Sequence, residues 1–301
     1  MRNKLVGSII CVLILTSTNI ASAESGWDDD FDDGDLKGWD VATYWSTDLE
    51  NIGATKGEVL ITNDNHRLLV QNPVNETHHG ANWAERNSTQ AYGHWTLDVN
   101  TTAGSSCGII FICRDLTPEA DLTGLTYQSP LNVEGYVLSI YTEEIWRHQF
   151  MLWKMDAKYT VMTGIQGYNL LDSIKFGEMG LSPYGVFDID ITRTQAGNIT
   201  VWVKPTIDTV FTKALSAIDN TYTKSERFAI YSQFSWPLSR FDIYFDNIRV
   251  DNDPSWEPDD WKLPPPKSCD LADLIGLALI PFTGVVIVVF VWWFLKKGRK
   301  D

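Results

Sequence analysis

Cysteine is scarce in this chain of 301 residues, which contains four. Cys11 lies in an N-terminal apolar run, and Cys269 lies just before a C-terminal one. Cys107 and Cys113 fall on one predicted strand, where their spacing separates them by about 20 Å at about 3.3 Å per residue. A disulfide requires Cα atoms within about 7 Å. These two are therefore expected to be buried and unbridged, and the fold must be stabilised by its core.

Basic residues are also few. The chain has 24 Lys and Arg against 39 Asp and Glu, for a formal net charge of −15. Proteins that bind nucleic acid carry basic patches, so this acidity argues against a nucleic-acid partner. It is compatible with a solvated acidic surface or with binding of cations.

Long helical periodicity is missing between the two apolar ends. Short runs rich in β-branched and aromatic residues alternate with turn residues instead, which favours a single two-sheet antiparallel sandwich. Strands are predicted at residues 40–45, 58–62, 67–71, 93–100, 107–114, 135–141, 149–156, 158–164, 186–193, 199–204, 227–232 and 240–250. A hairpin turn is predicted at 194–198, and a short helical turn within 208–222.

The last predicted strand changes phase near its end. Polar and apolar residues alternate up to Asp246, with Phe245 on the apolar face. Ile248 and Val250 would then fall on the polar face unless one residue is inserted. A β-bulge at Asp246–Asn247 restores the pattern, and bulges re-aim side chains.

The two ends of the chain predict export and membrane anchoring. Residues 1–23 combine a basic start, an apolar run and small residues, which is typical of a secretory signal peptide; a retained anchor is the alternative. Residues 271–295 are apolar over a length sufficient to cross a bilayer, and the tail 296–301 is basic. The positive-inside rule predicts a single-pass protein of the cell membrane with its N-terminal domain, residues 24–250, outside the cell.

The region between this domain and the apolar run is rich in proline and acidic residues. Residues 251–268 are therefore predicted to form an extended stalk. Four Asn-x-Ser/Thr sequons are candidate glycosylation sites in an exported chain, at Asn75, Asn87, Asn100 and Asn198.

The order of several motifs resembles the concanavalin A-like jelly-roll domains, with the laminin G-like and carbohydrate-binding branches nearest. The motifs, within residues 31–250, are FDDGDLKGW, EGYVLSIY, YGVFDIDITRTQAGNITVWV, RFAIYSQF and FDIYFDNIRV. The resemblance implies two packed antiparallel sheets with a concave face that often holds a glycan.

The same resemblance implies a calcium site. Many members tie the N-terminal loop to the last strand with one Ca²⁺, and Asp246 matches the aspartate of the closing strand. Asp30, Asp32 and Asp33 would supply further oxygens, of which Ca²⁺ takes six to eight. An acidic loop that is solvated, or paired with Lys or Arg, is the alternative.

The E-x-D-x-E-type strand of the superfamily's glycoside hydrolases is absent, and no catalytic residue is predicted. The nearest candidates are Asp188 and Asp190, which share a strand face, and Glu143–Glu144 in a predicted turn. A glycosidase needs two carboxyl groups flanking the scissile bond.

Tryptophan is abundant, with thirteen residues, and its flat faces can stack on sugar rings. Trp95 is predicted to lie in the core and Trp202 to be exposed on a sheet face. Trp146 and Arg147 are predicted to form a binding edge in a loop. Core packing is the alternative for each tryptophan.

The sequence favours a membrane-anchored, non-catalytic module that binds a glycan or another extracellular partner. Two alternatives stay open: a tethered glycoside hydrolase with a divergent carboxylate pair, and a structural surface protein with no ligand pocket.

Overall fold

The computed structural model describes residues 26–45, 58–62, 65–71, 80–101, 106–118, 131–142, 148–156, 168–233 and 242–264. They form two sheets packed face to face, so the predicted all-β sandwich is confirmed. The predicted signal peptide, membrane span, tail and strand at 158–164 lie outside these ranges. Among the described residues, no helix is long and apolar enough to cross a bilayer.

One sheet has nine strands in the order β16-β13-β12-β11-β6-β15-β4-β3, with β1 pairing to β15. Neighbours run antiparallel except β13 and β16, which are parallel. Its strands are β1 (Trp27–Asp29), β3 (Val59–Ile61), β4 (Leu68–Gln71), β6 (Gly93–Thr101), β11 (Gly185–Arg193), β12 (Asn198–Pro205), β13 (Phe211–Ile218), β15 (Asp242–Asp251) and β16 (Trp261–Lys262).

The other sheet has seven antiparallel strands in the order β10-β9-β8-β7-β14-β5-β2. Its strands are β2 (Asp40–Trp45), β5 (Gly80–Asn87), β7 (Ser106–Pro118), β8 (Leu131–Tyr141), β9 (Gln149–Met155), β10 (Tyr168–Lys175) and β14 (Arg227–Gln233). A single helical turn, α1 (Phe176–Met179), follows β10.

The core lies between the sheets and follows the period-2 alternation of the strands. Trp95 is fully buried there, as predicted, and the nine-stranded sheet also contributes Ile189 and Phe245. Cys107 and Cys113 are both buried and unbridged, which confirms that prediction. Burial raises the pKa of the Cys107 thiol far above its usual range.

The predicted bulge in the closing strand is present. The register between β15 and β6 shifts between Asp246 and Arg249, and Asn247 takes a left-handed φ of 50°. Ile248 and Val250 return to the buried face as a result. The predicted hairpin turn at 194–198 also joins paired strands, β11 and β12.

Two sequence predictions differ from the structure. The helical turn expected within 208–222 is wrong, because this segment contains strand β13, paired along its length with β12. Residues 251–263, assigned to an extended stalk, instead continue β15 to Asp251 and add strand β16 beside β13. The aromatic residues Trp256 and Trp261 hold this segment against the sheet.

Candidate functional site

Three aspartates form a row across the outer face of the nine-stranded sheet. Asp98 on β6 is the register partner of both Asp188 on β11 and Asp246 on β15. Lys204 forms an ion pair with Asp188 at one end. Arg67 Nε lies 3.4 Å from Asp246 Oδ2 at the other end. We call these three acids the aspartate row.

The central carboxylate of the aspartate row has a raised pKa. Burial, followed by hydrogen bonding to Asp188 and the charges of Asp188 and Asp246, raises the pKa of Asp98 to about 6. This occurs although Asn247 Nδ2 donates a hydrogen bond of 2.8 Å to Asp98 Oδ2. Neighbouring like charges disfavour ionisation of one another, so the row binds a proton at mildly acidic pH.

Three of the four predicted calcium ligands have other partners. Asp30 and Asp33 each use Oδ1 to accept the backbone N–H two residues further on, both at 3.1 Å, and so close turns in their own loop. Asp246 contacts Arg67, although burial and then the charge of Asp32 raise its pKa. Within the described ranges no three His, Cys, Asp or Glu side chains gather in a metal-binding arrangement. A calcium site at these four residues stays a prediction.

Asp188 and Asp190, the closest match to a catalytic pair, both project from the outer face of β11. Asp188 contacts Lys204, whereas Asp190 Oδ1 lies 2.5 Å from His94 Nε2. Each carboxylate therefore has a partner of its own.

Trp202 is fully buried, which corrects the prediction that it is exposed. It does lie on the outer face of β12, but Trp261 packs across it with ring centroids 5.0 Å apart. Lys213 Nζ lies over both rings, at 5.3 Å and 5.8 Å from their centroids. The prediction that Trp202 is exposed was wrong because it assigned Trp261, which covers Trp202, to the stalk. Trp202 has no face open to a sugar ring.

The other predicted surface groups are only partly placed. Asn87 and Asn198 are exposed and Asn100 is partly exposed, as glycan acceptors must be. The residues that lie outside the described ranges are Asn75, Glu143, Glu144, Trp146 and Arg147, and their roles stay predictions.

A second apolar cluster lies on the outer face of the seven-stranded sheet, away from the core between the sheets. Its centre consists of five side chains, between 0 and 4% exposed: Trp83, Ile110, Val137, Ala229 and Tyr231. We call these five the outer platform. The outward face of an antiparallel sheet is ordinarily polar, so the platform is a departure that requires an explanation.

One row of the sheet places aromatic rings beside a hydroxyl group. Trp83, Tyr231, Gly108 and Ser139 are successive register partners on β5, β14, β7 and β8. A Cβ at Gly108 would lie 2.2 Å from Cε1 of Tyr231, so the tyrosine ring lies across the β7 backbone. Glycine inside a strand often marks such a close approach.

Two polar atoms on this face have no hydrogen-bond partner in the described part of the chain. They are Ser139 Oγ, in a residue 1% exposed, and Glu85 Oε2. Glu85 Oε1 forms an ion pair with Arg227 Nη1 at 2.9 Å. Burial nevertheless raises the pKa of Glu85. Buried polar atoms are normally hydrogen-bonded, so leaving these two without a partner lowers the stability of the fold.

The sequence analysis missed this surface because it did not predict β5. The segment GANWAERN mixes Asn, Glu and Arg with alanine and lacks the β-branched residues that mark a strand. One usable signal was present: Gly108 interrupts the apolar strand CGIIFIC, where a glycine indicates close backbone approach.

The two packed sheets form an all-β sandwich of the concanavalin A-like type. The chain superposes on the exoplasmic/lumenal domain of VIP36, in its Ca²⁺/Man3GlcNAc-bound form, with a TM-score of 0.50 and 10% identity. The match covers 76% of this chain and 90% of that one. A likeness of this identity establishes the fold alone.

Two further structures are similar at lower scores. The carbohydrate recognition domain of Emp47p gives a TM-score of 0.49 with 12% identity, covering 77% of this chain and 98% of that one. A legume lectin-like domain from Entamoeba histolytica gives 0.46 with 10% identity, covering 71% and 89%. No family model and no curated protein matches the sequence.

Proposed function

We propose that this chain is a non-catalytic carbohydrate-binding module. The observation that supports the proposal is the lectin-type fold, since VIP36, which shares it, was captured with a mannose-containing oligosaccharide.

A glycoside hydrolase is the second candidate, because one cross-strand carboxyl pair lies on the same sheet face. Asp40 is the register partner of Glu85, and its charge adds to burial in raising the pKa of Glu85. One protonated and one ionised carboxyl is the arrangement that glycosidases use. The ion pair of Glu85 with Arg227 favours the binding module instead.

A glycan array probed with the purified full-length chain tests the proposal, with mannose-containing oligosaccharides as the first ligands. We expect bound glycans to be recovered intact, whereas release of shortened products would favour the hydrolase. The screen is run in calcium chloride and in a chelator, because the resemblance implies one structural Ca²⁺. Absence of any glycan binding in both conditions would contradict the proposal.

The substitution Ser139→Ala is expected to raise the free energy of unfolding by about 1 kcal/mol. The gain follows because alanine removes a buried hydroxyl group that has no partner among the described residues. Urea unfolding of the variant and the wild type measures the effect.

Ser232→Ala tests the same effect on the other face of the sheet. Ser232 Oγ is likewise buried without a partner among the described residues, but it alternates with Tyr231 and so points into the core between the sheets. We expect the same gain in stability. A variant less stable than the wild type, at either serine, would show that the hydroxyl group is hydrogen-bonded.

Display outside the cell is also part of the proposal and is supported by the sequence alone, through residues 1–23 and 271–295. Glycosylation provides the test. Digestion of the mature protein with a peptide N-glycosidase should lower its apparent mass, and substitution of the exposed Asn87 and Asn198 by Gln should reduce that change. If digestion leaves the apparent mass unchanged, the protein carries no N-linked glycan, and this would contradict an exported location.

A further inference from the structure

A cavity of about 510 Å³ opens on the outer face of the nine-stranded sheet, where the chain leaves β15. We call it the β15 cavity. Its lining includes His94 and Thr96 of β6, Arg249 and Asp251 of β15, and Trp256 of the segment that follows. Its volume lies within the range of about 300–1,000 Å³ that is typical of small-molecule sites. The cavity can therefore hold a ring-shaped ligand.

His94 brings a buried polar atom without a partner to this cavity. The residue is 5% exposed, and its Nε2 lies 2.5 Å from Asp190 Oδ1. Its other ring nitrogen, Nδ1, has no hydrogen-bond partner among the described residues. Asp251 Oδ2 lies 3.5 Å from Nδ1, beyond the usual hydrogen-bond range of about 2.7–3.2 Å. Because His94 and Asp251 both line the cavity, a ligand there can supply the missing partner.

The charged groups of the β15 cavity favour a neutral ligand. Arg249 Nη2 lies 3.6 Å from Asp251 Oδ2, so a guanidinium and a carboxylate are side by side. Asp253, also in the lining, uses Oδ1 to accept hydrogen bonds from the N–H and the hydroxyl of Ser255. The carboxylates repel an anion and the guanidinium repels a cation. A neutral molecule with several hydroxyl groups can accept from Arg249 and donate to the aspartates.

Trp256 gives the cavity an aromatic wall that its neighbours fix in place. The indole stacks on His94, with ring centroids 4.2 Å apart and an interplanar angle of 13°, and Phe211 packs edge-on against it at 6.0 Å. Trp256 is still partly exposed. Aromatic rings pack well against the apolar C–H face of a sugar. The cavity therefore combines an apolar wall with a few placed polar groups, as small-molecule sites do.

We propose that the β15 cavity binds one neutral sugar residue of a glycan, with its hydroxyl groups at Arg249, Asp251 and His94 and its C–H face against Trp256. This inference rests on the proposed carbohydrate-binding function and adds the position of the sugar. A hydroxyl group both donates and accepts, so it can pair with Nδ1 in either tautomer of the ring. The site lies on the opposite side of the sandwich from the outer platform.

Hydrogen–deuterium exchange of the full-length chain, with and without α-linked mannotriose, tests the position of the site. With mannotriose at about ten times its Kd, amides that exchange only in the unbound state should slow about tenfold. We expect this protection in peptides covering 93–97 and 249–256, and no change in peptides covering 135–155 of the other sheet. Protection confined to other peptides, or none, would overturn the β15 cavity. The glycan array decides separately whether the proposed function fails with it.

Two substitutions in the lining test the contacts by calorimetric titration with mannotriose. The Arg249 side chain is 65% exposed, and valine is close in shape to Thr96, so both variants should fold. We expect affinity to fall about tenfold for Arg249→Ala and about fivefold for Thr96→Val, as for one hydrogen bond to a charged group and one neutral hydrogen bond.

Arg114→Ala is the matched control for Arg249→Ala. Arg114 is a half-exposed arginine paired with Glu134 at 3.0 Å, and it lies on the other sheet. Its loss should leave mannotriose affinity unchanged. Wild-type affinity in both cavity variants, or an equal loss in the Arg114 variant, would overturn the proposal.

Discussion

Replacing Arg193 by alanine is expected to lower the free energy of unfolding by about 3–5 kcal/mol. Arg193 ends strand β11 and is fully buried. Its guanidinium donates to Ala91 O at 2.8 Å, and to Asp219 O and Asn220 Oδ1 at 3.2 Å each. Alanine would leave these acceptors unsatisfied and open a cavity, and both effects are costly in a buried site.

The guanidinium of Arg193 also lies between aromatic rings. It is 4.8 Å from the centroid of Tyr92 and 5.0 Å from that of Tyr136. Tyr136 in turn donates its hydroxyl hydrogen bond to Asp219. Although burial opposes it, hydrogen bonding from Tyr136, Thr221 and other groups lowers the pKa of Asp219 to about 2. Arg193 is thus the centre of a network that joins the two sheets.

Urea unfolding of Arg193→Ala, Arg193→Lys and wild type measures the prediction. Lysine keeps the charge but lacks the planar fork that reaches several acceptors at once, so we expect an intermediate loss. Arg114→Ala is the control: Arg114 is half-exposed and paired with Glu134 at 3.0 Å, and its loss should cost less than about 1 kcal/mol. A loss below that value for Arg193→Ala would show that the network is not coupled to folding.

Asp98→Asn is expected to stabilise the protein at neutral pH and to flatten its stability profile under mild acid. Folded Asp98 has a pKa of about 6, against 3.8 for an unperturbed aspartate. Between these pH values the folded chain binds more protons than the unfolded chain, so this site adds stability as pH falls and opposes folding at neutral pH. Asparagine is uncharged throughout and can still accept the hydrogen bond from Asn247.

Because Asp98 is partly exposed to solvent, screening limits the gain at pH 7.5 to about 1–2 kcal/mol. Urea unfolding of wild type and variant at pH 7.5, 6.0 and 4.5 should show the two curves approaching each other at the lowest pH. Asp208→Asn, at an exposed turn position, should leave the profile unchanged. A variant less stable than wild type at pH 7.5 would mean that the aspartate row needs its central charge.

Local sequence pattern predicted the closing strand well, because alternation is a property of neighbouring residues. The phase change at Asp246 and Asn247 predicted the bulge, and the structure confirms it. The same reasoning failed for β13, whose sequence FTKALSAI contains good helix formers. Pairing with β12 along its length overrides that weak propensity.

The candidate site could not be predicted to the same extent, because its parts come from different strands. Ser139, Gly108 and Tyr231 are far apart in the sequence, and only the register of β8, β7 and β14 brings them together. The stalk prediction failed for a related reason. Proline and acidic residues indicated an extended chain, but Trp256 and Trp261 gain more by packing on the sheet than by exposure to water.

Strand β13 is a potential site of self-association, since a strand at a sheet margin can recruit the same strand of another molecule. Two contacts oppose such strand pairing between molecules. Trp261 and Lys262 of β16 lie alongside Phe211 and Thr212, and Asp172 from the other sheet accepts the N–H of Ser216 at 2.8 Å. A chain that lost residues 252–263 would uncover one end of this margin, so its resistance to aggregation at high concentration would depend on a two-residue strand.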